Sequence, residues 1–234
     1  MKKVALIQSN YIPWKGYFDM INMVDEFLLY DDPQYTRRDW RNRNKVKTSS
    51  GLQWLTIPVE VKGKYYQKIK DTIISDNEWA KKHWAAIKFH YSKANFFNDF
   101  KSLFEELYLG CEEKYLSAIN QRFIVAISKL LDIKTTISLS MDYDLSVEGK
   151  TEKLIHLCKQ TGANIYLSGP AAKDYMDEEL FKQEGISVEW MDYSNYPEYS
   201  QLYPPFEHGV SIIDLIFNEG ENAKRFMKSF KDAK

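Results

Sequence analysis

Apolar positions come in short unbroken runs near the start of the chain and in helical stripes through its middle. Val4, Ala5, Leu6 and Ile7 form a continuous run, expected for a strand covered on both faces. A polar turn over residues 8–16 follows, and then Tyr17, Ile21 and Val24 fall on one helical face. Residues 27–30 read as a second strand, so the opening is a βαβ unit with a right-handed crossover. Residues 53–59 predict a strand closed by Pro58, and residues 69–74 an edge strand. Amphipathic stripes predict helices over 78–92, 96–109 and 115–131, the first carrying Trp79, His83, Ile87 and Tyr91 on its apolar face. Strand patterns resume at 135–139, 165–167 and 186–190, with helices from Thr151 as N-cap to about 161 and over 171–183. Helices over 210–217 and 222–230 close the chain.

This order predicts an α/β fold, a mostly parallel, Rossmann-like open sheet with a helical insertion or cap in the middle third. The expected organisation is an N-terminal α/β half (1–75) with ligand loops, the helical insertion (76–133), and a C-terminal α/β half (134–234) of the same domain. Ligands of open α/β sheets gather beyond the carboxyl ends of the strands. The 8–16 turn and the 31–43 segment both leave such ends, so both are expected to border one crevice.

That second segment holds the densest chemistry. Arg37, Arg38, Arg41, Arg43, Lys45 and Lys47 are opposed there by Asp39 alone and interleaved with Tyr35 and Trp40. A run this polar is not expected to fill a core. Guanidinium forks take phosphate or carboxylate bidentately, and Trp and Tyr rings stack on sugars or bases. With a net charge of -1 over 234 residues, the basic run is local, which argues against a nucleic-acid binder. The two cysteines, Cys111 and Cys158, match no metal-ligand spacing and read as reduced thiols. Polar residues from Gln8 argue against a signal peptide, and no apolar run reaches about 20 residues, so no membrane insertion and a cytoplasmic location are expected.

Other motifs carry both a bland and a chemical reading. Gly149-Lys150-Thr151 lacks the earlier glycine of a P-loop, since Asp144 stands there. Ser168-Gly169-Pro170 is either an ordinary turn or an anion site at a helix start, with Lys173, Asp174 and Tyr175 one turn later. His83 is by default a semi-buried core histidine; its chemical reading is a general base. His208, on a loop, is a candidate cleft residue. Asp31 and Asp32 end a strand and point to opposite sides if the strand continues, so they are a base, an arginine anchor or a metal ligand lacking its further ligands. No metal site is expected.

Residues 4–19, the 30–43 block, residues 54–58, residues 79–84 and residues 166–175 resemble, in order, blocks of the WbqC-like proteins of bacterial surface-polysaccharide loci. Ile7-Gln8-Ser9 stands where members often carry His-Gln-Pro. The first turn also resembles nucleotidyltransferase-like folds, with Gly16-Tyr17 where those enzymes have Gly-His. The resemblance implies a step in making or decorating an activated sugar in O-antigen biosynthesis. The leading expectation is a transferase that acylates or aminoacylates a nucleotide-linked amino sugar. The acyl source is left open among acyl-CoA, an acyl carrier protein and ATP with Mg²⁺. The alternatives are an ATP-dependent amide-forming ligase and a non-catalytic module binding a glycan intermediate. In the first reading Arg38, Arg41 and Arg43 meet phosphates, with Asp39 beside them, and Tyr11, Trp14, Tyr17, Tyr35 and Trp40 supply aromatic faces. Gln8, Asn10 and Asn42 read sugar or base edges, Gly16 shapes the turn, and His83, Asp31 or Asp32 takes the amine proton. Amides near Gly169 hold the oxyanion.

Overall fold

A computed structural model describes residues 1–230. Five parallel strands form the central sheet: β1 (Lys3–Ile7), β2 (Glu26–Leu29), β5 (Thr136–Leu139), β6 (Ile165–Ser168) and β7 (Ser187–Trp190). Their order is β5-β2-β1-β6-β7, every neighbouring pair parallel. The chain builds outward from β1 in one direction and then, from β6, in the other. The reversal between β1 and β6 is the position where doubly wound sheets bind ligands.

Helix α1 (Lys15–Asn22) makes the first crossover. Between β2 and β5 lie a separate hairpin, β3 (Arg43–Thr48) with β4 (Gly51–Thr56), and three helices, α2 (Trp79–Tyr91), α3 (Phe97–Leu109) and α4 (Leu116–Leu130). These helices share one continuous buried cluster with α1, β2 and α7 (Ile212–Glu219), built on Phe18, Phe27, Phe104, Phe123 and Phe217. A second, smaller cluster under the other face joins Val4, Leu6 and Leu28 to α5 (Lys150–Gln160) and Phe181 on α6 (Glu178–Gln183). Two-sided burial of the strands is what their unbroken apolar runs imply.

Several expectations change. The second half of the basic run is β3, where Asn44, Val46, Lys47 and Thr48 are buried, so that polar stretch does enter the interior. Lys47 N–H donates to the Tyr91 hydroxyl (2.9 Å) and its ammonium to Gln201 Oε1 (2.9 Å), which satisfies the buried cation. Residues 69–71 form a 3₁₀ turn rather than an edge strand, with isolated bridges at Val59–Ile74 and Ile73–Tyr115. The 171–183 helix is broken: a 3₁₀ turn spans Pro170–Asp174 and α6 begins only at Glu178, capped by Asp177. Residues 220–226 are likewise 3₁₀. Gly149, not Thr151, is the N-cap of α5, and Thr151 lies inside its first turn. Gly149 sits at φ +92°, a backbone conformation that strains any side chain, and the Glu152 carboxylate, folded back to where a Cβ would stand, would have to move aside.

Candidate functional site

Two cavities open where the 8–14 turn and the 40–44 segment meet. The larger, about 750 Å³, lies at the switch point. Its floor is Leu6, Ile7 and Tyr166, from β1 and β6, and its rim brings Arg41, Lys68, Lys150 and Lys153 together with Tyr30 and Tyr175. Asp32 is the carboxylate among the residues that line it. Lys68 and Lys70 bind Asp32 Oδ1 at 3.0 and 2.9 Å. Burial acts to raise its pKa, but the two ammonium groups outweigh it and hold Asp32 below its ordinary value. Of its four cations, Lys68 pairs with Asp32 and Arg41 with Asp39, which leaves Lys150 and Lys153 without an ion pair among the described residues beside the tyrosine rings.

The smaller cavity, about 330 Å³, is lined by Asn10, Pro13, Trp14, Trp40, Asn44, His208 and Gly209. No carboxylate, ammonium or guanidinium is among these residues. Gln8 faces the first cavity and Asn10 the second; Arg41 faces the first and Trp40 the second. Tyr11 N–H donates to the Trp40 carbonyl (3.0 Å), so the two segments form a shared partition. The single crevice expected from the sequence is therefore divided in two.

A polar network sets this partition. Asp31 accepts from Ser9 N–H (2.7 Å) and from the Ser117 hydroxyl, facing away from its neighbour Asp32. Asn120 on α4 donates to Ser9 Oγ (3.0 Å) and to the Arg41 carbonyl (2.9 Å). Asn44 Nδ2 donates to the carbonyls of Tyr11 (3.1 Å) and Ile12 (2.9 Å). These bonds over-determine a turn in which Ile12 holds φ 38°, a conformation that strongly penalises a β-branched residue. Gly16 is required because the Trp14 indole lies where its Cβ would be.

Not every expected site residue reaches a cavity. His83 is 7 % exposed and lines neither. Its Nε2–H donates to the Thr56 carbonyl (3.2 Å), which can only accept, so Nδ1 receives the Tyr11 hydroxyl (2.9 Å). The Tyr11 oxygen in turn takes the Tyr108 hydroxyl proton (2.8 Å). Burial pushes the His83 pKa down to about 4, against the pull of the Thr56 carbonyl. The imidazole is neutral, has both nitrogens engaged and packs on Trp79 and Tyr11 in the interior, away from both cavities. Asp31 is excluded from both cavities by burial, which also raises its pKa.

Of the cations in the basic run, Arg41 alone lines the larger cavity, and it pairs with Asp39 at 3.0 Å. Arg38 is exposed and at φ 58°. The Arg43 guanidinium lies 4.0 Å from the centroid of Trp54, on the hairpin, and is not among the residues lining either cavity. Tyr11, Tyr17 and Tyr35 are buried, and the Tyr17 hydroxyl donates to the Gln8 carbonyl (3.1 Å). Asn42 is buried, lines neither cavity, and its Nδ2 donates to the Ile57 carbonyl (2.8 Å). Ser168, Gly169 and Tyr175 line the larger cavity, whereas Lys173 leans on Trp190 and Asp174 is exposed outside it.

Lys68, Lys150, Lys153, Tyr30 and Tyr166 escaped sequence reading. Gly149-Lys150 is the sequence signal that bears on them: a glycine-led helix start borders the cavity here without a P-loop motif. No group of three or more His, Cys, Asp or Glu among the described residues is arranged to hold a metal. No described helix is long and apolar enough to cross a membrane.

No solved structure matches this chain. It is 51 % identical, over 97 % of its length and 98 % of the relative's, to Rv1507c, an uncharacterized protein of Mycobacterium tuberculosis (strain ATCC 25618 / H37Rv). The WbqC-like protein family model matches residues 8–226, from just after β1 and including the lining of both cavities apart from Leu6 and Ile7, and this chain belongs to that family.

Proposed function

We propose that the protein is a transferase of surface-polysaccharide biosynthesis that acylates or aminoacylates an amino sugar carried on a nucleoside diphosphate. The observation that carries this reading is the cavity at the switch point, with Arg41, Lys68, Lys150 and Lys153 around Tyr30, Tyr166 and Tyr175. A pyrophosphate group satisfies that charge, and a base satisfies the tyrosine faces. At about 750 Å³ the cavity lies within the range of cofactor and nucleotide sites, roughly 300–1,000 Å³.

In this reading the sugar amine attacks the carbonyl carbon of an activated acyl group. A nitrogen–carbon bond forms, the bond to the acyl carrier breaks, and the amine loses a proton. Asp32 is the carboxylate of the cavity able to receive that proton or orient the amine. Backbone amides of the turn after β6, near Gly169, are the candidate donors for the oxyanion, an interaction worth roughly 3 kcal/mol per donor.

Calorimetric titration with a panel of nucleoside diphosphate sugars, ATP with Mg²⁺, and acyl-CoA tests the reading. Binding of a nucleoside diphosphate sugar is expected, with loss in Lys150→Ala/Lys153→Ala. Failure of the whole nucleotide-sugar panel to bind removes the proposal. Stabilisation by ATP with Mg²⁺ together with pyrophosphate release would select an amide-forming ligase instead.

A further inference from the structure

We infer that the smaller cavity is a subsite for a neutral pyranose ring. Its walls are the indoles of Trp14 and Trp40, and its polar groups are Asn10, Asn44 and His208. The absence of any charged side chain among the lining residues sets it against the cationic cavity across the partition and disfavours a phosphate or carboxylate guest. Its volume of about 330 Å³ sits at the lower end of small-molecule sites, roughly 300 Å³ upward, too small for a whole nucleotide sugar and ample for one ring.

The polar groups decide between a sugar and an apolar acyl tail. Asn44 is occupied: its amide donates to Tyr11 and Ile12, and its Oδ1 accepts Lys45 N–H at 2.8 Å. Asn10 is different. Its Oδ1 finds no partner among the described residues, so the amide is not committed to the fold as that of Asn44 is. Asn10 lines the cavity, and a turn of its amide toward the opening would let a hydroxyl satisfy it, whereas an acyl chain offers it no partner. His208, exposed at the rim, offers a second polar contact. A pyranose combines the two demands, with C–H faces for indole rings and an edge of hydroxyls.

Both indoles are held in place, which a binding platform needs. Trp14 packs over Gly16 and against Tyr193 and Tyr196 at 5.4 and 5.3 Å between ring centroids. Trp40 rests on Trp54 at 5.3 Å, itself covered by the Arg43 guanidinium, and keeps 40 % of its surface open. Rigid aromatic walls lower the entropy lost on binding.

The inference goes beyond the nucleotide-sugar reading and does not need it. The ring comes either from the sugar of the nucleotide substrate or from a separate saccharide. Titration with methyl glycosides of glucose, galactose, N-acetylglucosamine and fucose, followed by tryptophan fluorescence and saturation-transfer NMR, tests it. Binding in the millimolar range is expected, weakened about tenfold or more by Trp40→Ala and by Asn10→Ala, and retained in Lys150→Ala/Lys153→Ala. Uridine diphosphate, which carries no pyranose ring, should show the reverse dependence, so failure of one cavity's assignment leaves the other readable. Competition between a methyl glycoside and a nucleotide sugar bearing the same ring identifies the nucleotide-borne source; simultaneous binding identifies a separate saccharide. A melting curve and circular dichroism spectrum of each variant control for loss of folding. Silence of all four glycosides, binding that survives Trp40→Ala and Asn10→Ala, or preference for a short acyl ester over every glycoside overturns the inference.

Discussion

The larger cavity and the interior around His83 use similar side chains to opposite ends. Around His83, polar groups close on one another: Thr56, Tyr11 and Tyr108 complete a chain of hydrogen bonds in which no nitrogen remains free. Around the cavity, Lys68 and Arg41 are paired with Asp32 and Asp39, but Lys150 and Lys153 make no ion pair among the described residues. The lesson concerns surplus. Interior polar groups stabilise a fold when every one is matched; a site for a ligand carries charge the protein itself leaves unmatched.

The largest expected effect breaks the cavity side. Lys150→Ala/Lys153→Ala should weaken binding of a nucleoside diphosphate by about 3 kcal/mol or more, since a hydrogen bond to a charged group contributes roughly 1.5–3 kcal/mol. Both side chains border solvent, so thermal unfolding of the unliganded protein should shift little. Calorimetry and a melting curve on one sample check both halves, and unchanged affinity would show that the surplus charge serves no nucleotide.

His83→Ala should do the opposite. It deletes a buried ring and leaves the Tyr11 hydroxyl and the Thr56 carbonyl short of partners, a destabilisation of roughly 2–4 kcal/mol. Nucleotide affinity should hold in the folded fraction. Denaturant titration with a binding assay below the unfolding transition measures both. If catalysis is lost while folding is intact, His83 acts beyond the core.

Acid provides a finer test of the same residue. His83 stays neutral in the folded protein to a pKa of about 4 but titrates near 6.5 when unfolded. The unfolded chain therefore binds the proton first, and the stability the neutral ring secures is complete above about pH 6.5 and lost as pH falls toward 4. Between about pH 7 and pH 5 the loss is on the order of 2 kcal/mol. Buried Asp31 and Asp214, whose pKa values burial raises, act with opposite sign, so the comparison that isolates His83 is wild type against His83→Ala over the same range. A pH slope that survives the substitution assigns the acid sensitivity elsewhere.

What the sequence made legible follows the same line. The strands at residues 4–7 and 165–167 were readable because burial on both faces makes them unbroken apolar runs, and α2 to α4 because one-sided burial gives them a helical stripe. The parallel sheet followed from the order of strands and helices. The break between Pro170–Asp174 and α6 was not, because the helical period of the side chains continues across it. At the site, Gln8, Asp32, Arg41, Ser168 and Tyr175 were placed by one rule, that strand ends meet at the ligand edge. Lys68, Lys150 and Lys153 come from elements whose approach to that edge is set by tertiary packing alone. The sequence also presents Arg41 and Arg43 as equals; the pairing register Arg43–Thr56 carries one onto the hairpin while the other stays at the cavity.

The smallest effect draws the sharpest line within the cavity itself. Asp32 is its matched member, held by Lys68 and Lys70, and it separates charge that serves folding from charge that serves a ligand. Replacing it by Asn releases two ammonium groups toward the cavity. The Asp32–Lys pairs border solvent, with Lys68 46 % exposed, so the cost in stability should stay near or below about 1 kcal/mol. Affinity for a nucleoside diphosphate should rise by a few fold, since one opposing charge is gone while the shape is kept. Turnover separates the roles of the carboxylate. If Asp32 receives the amine proton, Asp32→Asn binds more tightly and transfers an acyl group at least about a hundredfold more slowly, the usual scale of a lost general base. If Asp32 only tethers the lysines, binding and rate rise or hold together, and the proton must leave by way of the substrate or solvent.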